Sequence, residues 1–204
     1  MSNASLGPRP SRPHSEGHRF WHRRGYLPHF DAGAVVQSLT FRLADSLPRH
    51  VHESILASSK TESEQRVRIE ALIDHGRGAC VLRQTDCANI VENALKHFDG
   101  DRYKLSAWVI MPNHVHVLIE QIEGHRLGDV VHSWKSYTAN RINEVTGQTG
   151  ALWAPDYFDR FIRDERHYAN AVSYIECNPV KAGLISRAED WPFSSLRLRP
   201  GKQP

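Results

Sequence analysis

The sequence predicts an α+β domain, an antiparallel sheet with helices packed on one face. Two β-branched, apolar segments near residues 103–121 flank a Pro-Asn pair, which favours two strands joined by a tight turn. Apolar residues also recur at helical spacing on both sides of these strands, which favours amphipathic helices. Strands and helices do not alternate strictly along the chain, and this order favours an α+β arrangement over a parallel sheet.

Length and composition allow one domain of ordinary size with extensions. The chain has 204 residues, 40% of them apolar, and a net charge of +3, which permits a nucleic-acid partner. No run approaches the roughly 20 apolar residues of a membrane span, so no membrane partner is expected. The three cysteines form no Cys-x-x-Cys pair, which argues for a reducing compartment. We therefore expect a cytoplasmic protein, and its basic charge would allow association with the nucleoid.

The first 30 residues are predicted to form a basic, flexible arm. They contain several prolines and a single acidic residue, Glu16, among five arginines. Such a segment is either a solvated tail or an arm that folds onto phosphates of nucleic acid, and the residues alone leave both interpretations open. The arginines are Arg9, Arg12, Arg19, Arg23 and Arg24. The folded domain is then expected over residues 31–187, followed by a tail at 188–204.

In the first half of this domain, the pattern predicts one strand, a helical insertion and a helix. Val35 to Leu43 is β-branched and alternating, as in a strand. Residues 45–78 are predicted to insert one or two solvent-facing helices, with a charged helical pattern from Thr61 to His75. Thr85 is placed to cap the next helix, which Gly100 ends.

The second half is predicted to hold two paired strands, a long helix, and a final strand and helix. Asp164 is placed to cap the last helix, and Pro179 is expected to stop it near Cys177, because proline disfavours a helix at the preceding residue. The other predicted segments are strands at 103–111, 114–121 and 157–162, and a helix from Leu127 to about Gly147.

Two histidines, His114 and His116, flank one apolar residue on the predicted strand 114–121. Side chains two apart on a strand leave the same face, so both imidazoles are expected to lie side by side. Paired imidazoles on a rigid sheet suit a divalent metal, although a buried histidine can also be an ordinary hydrogen-bonded core residue.

The last predicted helix offers a second group of polar side chains. Tyr174 and Asn178 are four residues apart and therefore neighbours on one helix face. Tyr168, Val172 and Ile175 form a different stripe, which is assigned to the core. A phenol beside a metal-bound phosphate suits covalent phosphoryl transfer. The alternative is that Tyr174 caps the core and Asn178 simply ends the helix.

Taken together, these segments resemble the REP-associated tyrosine transposases, which are HUH-type single-strand DNA transposases. The resemblance rests on the His-Val-His segment shared with a Tyr-x-x-x-Asn-Pro-Val-Lys helix. The segments that carry it are 24–30, 39–45, 108–116, 152–153 with 156–160, 174–184 and 191–195. It implies a ferredoxin- or RRM-like HUH sandwich, Tyr174 as the nucleophile, and a divalent metal, Mg²⁺ or Mn²⁺, on His114, His116 and Asn178.

The resemblance also implies single-stranded hairpin DNA as the substrate, cleaved and transferred through a 5′-phosphotyrosine. DNA contacts are then expected from basic side chains and stacking aromatics. Besides the arginines of the arm, the candidates are Lys135, Arg141, Arg160, Arg163, Lys181, Trp153 and Tyr157. A protomer could act alone or as a dimer.

Tyr137 is the competing nucleophile, because it also lies on a helix that follows the histidine strand. In the wider superfamily a polar ligand follows the tyrosine by four residues. Asn178 holds that position after Tyr174, whereas Arg141, a cation, holds it after Tyr137. Two other functions stay open: a hairpin-binding module that does not cleave, and a relaxase-like nicking enzyme that never rejoins the strands.

Overall fold

The computed structural model describes residues 21–24, 27–30 and 35–199. A short antiparallel hairpin, β1 (Trp21–Arg24) and β2 (Leu27–Phe30), occupies part of the predicted arm, which corrects that prediction for these residues. Three arginines of the arm, Arg9, Arg12 and Arg19, lie outside the described residues. The remaining elements are β3 (Val36–Arg42), α1 (Arg49–Ser58), α2 (Glu62–Ile73), α3 (Thr85–His97), β4 (Tyr103–Ile110), β5 (His114–Gln121), α4 (Leu127–Thr146), β6 (Phe158–Phe161) and α5 (Glu165–Lys181).

The central sheet has four strands in the order β4-β5-β3-β6, and every neighbouring pair is antiparallel. This arrangement confirms the predicted α+β class. The turn at Pro112 and Asn113 joins β4 to β5, as predicted from these two residues. In the register of β3 with β5, Thr40 pairs with His116, so the middle of the sheet carries the histidines.

Helices cover both faces of the sheet, whereas the sequence predicted them on one. Helices α3 and α4 share one face, where Val115 and Val117 pack with Trp134. Helix α5 lies on the opposite face, where Ile175 packs with Leu118. Nearly every residue of β5 and the last four residues of β4 are buried, so both faces of the sheet need cover there.

The helical insertion was predicted to face solvent, but both of its helices also bury apolar residues on one side. Ile55 of α1 and Ile69 and Ile73 of α2 are buried in a third apolar cluster, against which Phe158 of β6 packs. Thr61 caps α2 by accepting a hydrogen bond from the Glu64 backbone N–H at 3.2 Å. The insertion is therefore fixed beside β6, close to the histidine face of the sheet.

The predicted helix ends agree with the structure at some positions and differ at others. The N-cap of α3 is Gln84 rather than Thr85, and it caps without a side-chain hydrogen bond. Asp164 caps α5 as predicted, accepting from the His167 N–H at 2.8 Å. Pro179 does not stop α5, which continues to Lys181. Only about one helical turn follows Asn178. The hydrogen bond that proline removes therefore lies in the last turn, where its loss costs the helix little.

The chain after α5 returns along the edge strand β4. The Trp191 indole N–H donates to the Ile110 carbonyl at 3.0 Å, and Ser195 Oγ donates to Glu176 of α5 at 2.9 Å. Arg199 forms an ion pair with the same carboxylate at 2.9 Å. The tail thus ties α5 to β4 through Trp191, Ser195 and Arg199. Among the described residues, no helix is both long and apolar enough to cross a membrane.

Candidate metal and nucleophile site

The two histidines of β5 face each other beneath α2 and α5. Their Nε2 atoms lie 3.0 Å apart, and both side chains are fully buried, at 0% and 1% exposure. His114 Nδ1 lies 2.8 Å from Asn113 Oδ1, and His116 Nδ1 lies 2.8 Å from Thr40 Oγ1. These contacts hold both rings so that each Nε2 points into the same small space.

Asn113 fixes the protonation of His114. Its amide nitrogen donates to the carbonyls of Ile73 at 3.1 Å and Arg77 at 2.9 Å, so its oxygen must accept from His114. His114 therefore carries its proton on Nδ1 and presents a bare Nε2. The same amide ties the histidine strand to the C-terminal end of α2, because Ile73 is the last residue of that helix.

Burial favours the neutral form of both imidazoles. Burial lowers the pKa of His114 well below its ordinary value, and burial with the nearby Lys181 charge lowers the pKa of His116 to about 3. Lone pairs of two neutral imidazoles repel each other across 3.0 Å, and a cation held between them would remove that repulsion.

Two further donors complete the space around the histidines. Asp74 Oδ1 lies 3.4 Å from His114 Nε2, and the Asn178 amide nitrogen lies 3.1 Å from His116 Nε2. Asp74 Oδ1 and Asn178 Oδ1 are both buried without a hydrogen-bond partner. Turning the Asn178 amide would place its oxygen towards His116, since the two ends of an amide are assigned from their partners.

This donor set fits a divalent cation. The ligand atoms of Asp74, His114 and His116 all lie within 4.8 Å of one another, so together they could bind a metal. Imidazole nitrogens and carboxylate or amide oxygens are ligands of first-row divalent metals. Asp74 was not predicted from the sequence. It reaches the histidines only because of how α2 packs, and no local motif marks it as a ligand.

Tyr174 is the tyrosine that the structure brings to this site. Its ring centroid lies 5.6 Å from that of His116, and its hydroxyl donates to Glu70 Oε2 at 3.3 Å. The Lys181 ammonium lies 4.7 Å from the same ring. Burial, followed by the charges of Glu70 and Asp74, raises the pKa of Tyr174.

Tyr137 lies elsewhere. It is 53% exposed on α4, on the other side of the sheet from α5. There it lines a separate cavity with Trp134 and Phe98. The structure therefore brings Tyr174, and not Tyr137, next to the paired histidines.

An open cleft of about 670 Å³ leads to Tyr174. It runs between α2 on one side and β6 and α5 on the other. Cationic side chains border the cleft. Burial is the main cause that lowers the pKa of Arg160, and the nearby charges of Arg66 and Arg163 lower it further. The cleft is lined by Thr40, Arg66, Glu70, Asp74, Arg160, Tyr174 and Lys181, among others.

Two other DNA-contact candidates, Lys135 and Arg141, lie on α4 and do not line this cleft. Lys135 donates to the carbonyls of Ala154 at 2.6 Å and Pro155 at 2.8 Å, and burial lowers its pKa to about 8. Arg141 pairs with Glu144 on the surface of α4. Arg23 and Arg24 lie on strand β1.

The two candidate stacking aromatics belong to the core, which corrects their predicted role. Trp153 and Tyr157 are each only 6% exposed. The Trp153 indole N–H donates to Thr138 Oγ1 at 2.9 Å, and its ring packs on Phe41 with centroids 4.9 Å apart. A base could not stack on either ring without opening the packing between α4 and the sheet.

Comparisons with known proteins find similarity to proteins named as transposases, although the chain spans less than two thirds of the length of the Escherichia coli relative. Residues 81–178 match the family model described as "Transposase IS200 like". The chain is 31% identical over 108 residues to the REP-associated tyrosine transposase of Escherichia coli (strain K12), a match covering 52% of this chain and 63% of that protein. The fold is similar to that of a REP-associated tyrosine transposase solved bound to a REP hairpin, with a TM-score of 0.59, 20% identity and 89% of both chains covered.

Proposed function

We propose that this chain, which is similar to the REP-associated tyrosine transposase of Escherichia coli and matches the IS200-like transposase model over residues 81–178, cleaves and rejoins single-stranded DNA at hairpins. The observation that carries the proposal is the position of Tyr174 against His116, with ring centroids 5.6 Å apart, at the end of an open cleft. Asn178 lies one helical turn further along α5 and contacts the same histidine. The family match at residues 81–178 includes all of these residues.

In the proposed reaction, Tyr174 Oη attacks the phosphorus of the scissile phosphate. The bond from phosphorus to the 3′ oxygen breaks, which leaves a 5′-phosphotyrosine and a free 3′-hydroxyl. A phenol is more acidic than a sugar hydroxyl, so a second 3′-hydroxyl can displace the tyrosine and reseal a strand. The covalent bond keeps the energy of the phosphodiester, and rejoining needs no nucleotide triphosphate.

His114, His116, Asp74 and Asn178 would hold the divalent cation. When bound, it would polarise the phosphate and offset the negative charge of the transition state. Two imidazole ligands favour Mn²⁺ over Mg²⁺, which prefers oxygen, so we expect tighter binding of Mn²⁺. Asp74 extends the ligand set that the sequence suggested.

Substituting Asp74 with asparagine tests this extended set. We expect Mn²⁺ to raise the unfolding temperature of the wild type, because a ligand at 100 times its Kd stabilises by about 2.7 kcal/mol. Asp74→Asn should weaken Mn²⁺ binding by at least about 10-fold, as loss of a charged ligand does. Asp101→Asn, at a carboxylate 71% exposed, is the control. Equal Mn²⁺ affinity in both variants would exclude Asp74 from the metal site.

Hairpin DNA is proposed as the substrate because the structural neighbour was solved bound to a REP hairpin. In this chain the cleft beside Tyr174 offers Arg160 and Lys181, both exposed, for contacts to the phosphate backbone. Arg66 from α2 joins them, and sequence reasoning had not singled it out. The rims of the cleft are thus basic on the α2 side and on the β6 and α5 side.

Removing the cleft cations should weaken DNA binding. Arg160→Ala and Lys181→Ala are each expected to lower affinity for a single-stranded hairpin and to reduce the salt slope by about one. Arg141→Ala is the matched control, because Arg141 lies on α4, where it pairs with Glu144. Titrations at three salt concentrations measure the slope. Unchanged slopes for the two cleft variants would place the DNA elsewhere.

The polarity of labelled products tests the proposed chemistry. Hairpin DNA labelled at its 3′ end should transfer the label to the protein, whereas a 5′ label should stay on a free strand ending in a 3′-hydroxyl. A second strand with a 3′-hydroxyl should then recover the label from the protein. Release of a free 5′-phosphate with no protein-bound label would instead indicate hydrolysis.

A further inference from the structure

The helical insertion places a row of polar side chains over Tyr174. Arg66, Glu70 and Asp74 follow one another at intervals of four residues, so they project from the same side of α2. All three line the cleft that reaches Tyr174. They precede residue 81, where the family match begins, so that match assigns them no role.

Glu70 is held in a defined position beside the phenol. Its Oε2 accepts a hydrogen bond from the Tyr174 hydroxyl at 3.3 Å, and its Oε1 lies 3.8 Å from Arg66 Nε. The side chain of Glu70 is 16% exposed. Helix α2 is anchored directly beneath it, because Ile69 and Ile73 are buried in the apolar cluster with α1.

The chemistry of the proposed reaction requires a base at this position. A neutral phenol is a poor nucleophile, and it must lose its proton as it attacks phosphorus. Among the hydrogen bonds of the described residues, the Tyr174 hydroxyl donates to Glu70. The two histidines are poorly placed to act as this base. Their Nδ1 atoms contact Thr40 and Asn113, and their Nε2 atoms both face the metal position.

We propose that Glu70 is the general base that takes the phenolic proton of Tyr174, and that Arg66 orients it. This inference rests on the proposed function. In the forward step the O–H bond of Tyr174 breaks and the proton moves to Glu70 Oε2. The phenol oxygen bonds to phosphorus, and the 3′ oxygen leaves with the bonding electrons and takes a proton from water. In rejoining, Glu70 returns its proton to the departing phenolate.

Burial and charge are consistent with this role. Burial raises the pKa of Glu70, and a more basic carboxylate accepts a proton more readily. The charge of Arg66 opposes that rise in pKa. The insertion thereby becomes part of the active site, rather than a peripheral addition to the fold.

Glu70→Gln is the decisive variant. Glutamine has the same shape and can still accept the hydrogen bond from Tyr174, but it cannot take a proton at neutral pH. We expect single-turnover adduct formation to slow by roughly 100-fold or more, the usual contribution of a general base. Hairpin affinity and the unfolding temperature should stay near wild type. Glu53→Gln, at an exposed carboxylate of α1, is the control and should react normally.

Two results would overturn the proposal. A Glu70→Gln rate equal to wild type would show that only the hydrogen bond matters, and a faster rate would show that Glu70 restrains Tyr174. Glu70→Asp supplies a second variant that keeps the carboxylate, and it should recover part of the lost rate. If wild type itself formed no adduct, the proposed function would fail instead, so the two failures are distinguishable.

Discussion

Replacing Tyr174 with phenylalanine should abolish DNA cleavage and the covalent adduct, with a rate loss of at least about 10⁴-fold. The substitution removes one oxygen atom, the one that would bond to phosphorus. It also removes the donor to Glu70, a hydrogen bond of 3.3 Å, at a cost of about 1 kcal/mol in stability. Hairpin binding should persist, because the cations of the cleft are untouched.

Tyr137→Phe is the matched control for this experiment. Tyr137 lies on α4, outside the histidine site, and is 53% exposed. The control should cleave at the wild-type rate and form the same adduct. Loss of the adduct in Tyr137→Phe but not in Tyr174→Phe would reverse the assignment of the nucleophile. Activity retained by both single variants would exclude each as the sole nucleophile.

Replacing His116 with alanine should have the second largest effect. The imidazole lies between Thr40, His114 and Asn178, so its removal takes away a metal ligand and a buried hydrogen-bond partner. We expect no metal-dependent cleavage and no stabilisation by Mn²⁺. Because both rings are buried, we also expect a stability loss of about 1–3 kcal/mol.

His132→Ala is the control for the histidine experiment, because His132 is exposed on α4. Circular dichroism and hairpin binding would show that the His116 variant is still folded at the assay temperature. His114→Asn provides a second variant that retains a polar group at the site. Full cleavage by either folded variant at limiting Mn²⁺ would contradict the metal assignment.

The sequence predicts the parts of the site that depend on local periodicity. His114 and His116 share a strand face because strands repeat every two residues, and Tyr174 and Asn178 share a helix face because they are one turn apart. The structure brings both pairs together through the contact between Asn178 and His116.

The contribution of α2 could not be predicted, because it depends on contacts between distant residues. Glu70 and Tyr174 are separated by 104 positions, and α2 shows little amphipathic pattern of its own. Its charged residues are typical of a solvated helix, and only the packing of Ile69 and Ile73 turns Glu70 and Asp74 inward.

Trp153 illustrates the opposite error. Trp153 was among the aromatic residues expected to stack on bases, yet its indole N–H and its ring are both used in the core. Pro179 is a further example, since proline near a helix end permits one more turn where tertiary packing supports it. In both cases the tertiary structure overrides a local preference.

The most direct test of the account is to identify the residue that becomes linked to DNA. Wild-type protein would be incubated with a labelled single-stranded hairpin and Mn²⁺, digested with protease and analysed by mass spectrometry. The account predicts a nucleotide phosphate on Tyr174 alone. Modification of Tyr137, or tight hairpin binding with no linked peptide at any tyrosine, would contradict it, and the second result would indicate a binding module that does not cleave.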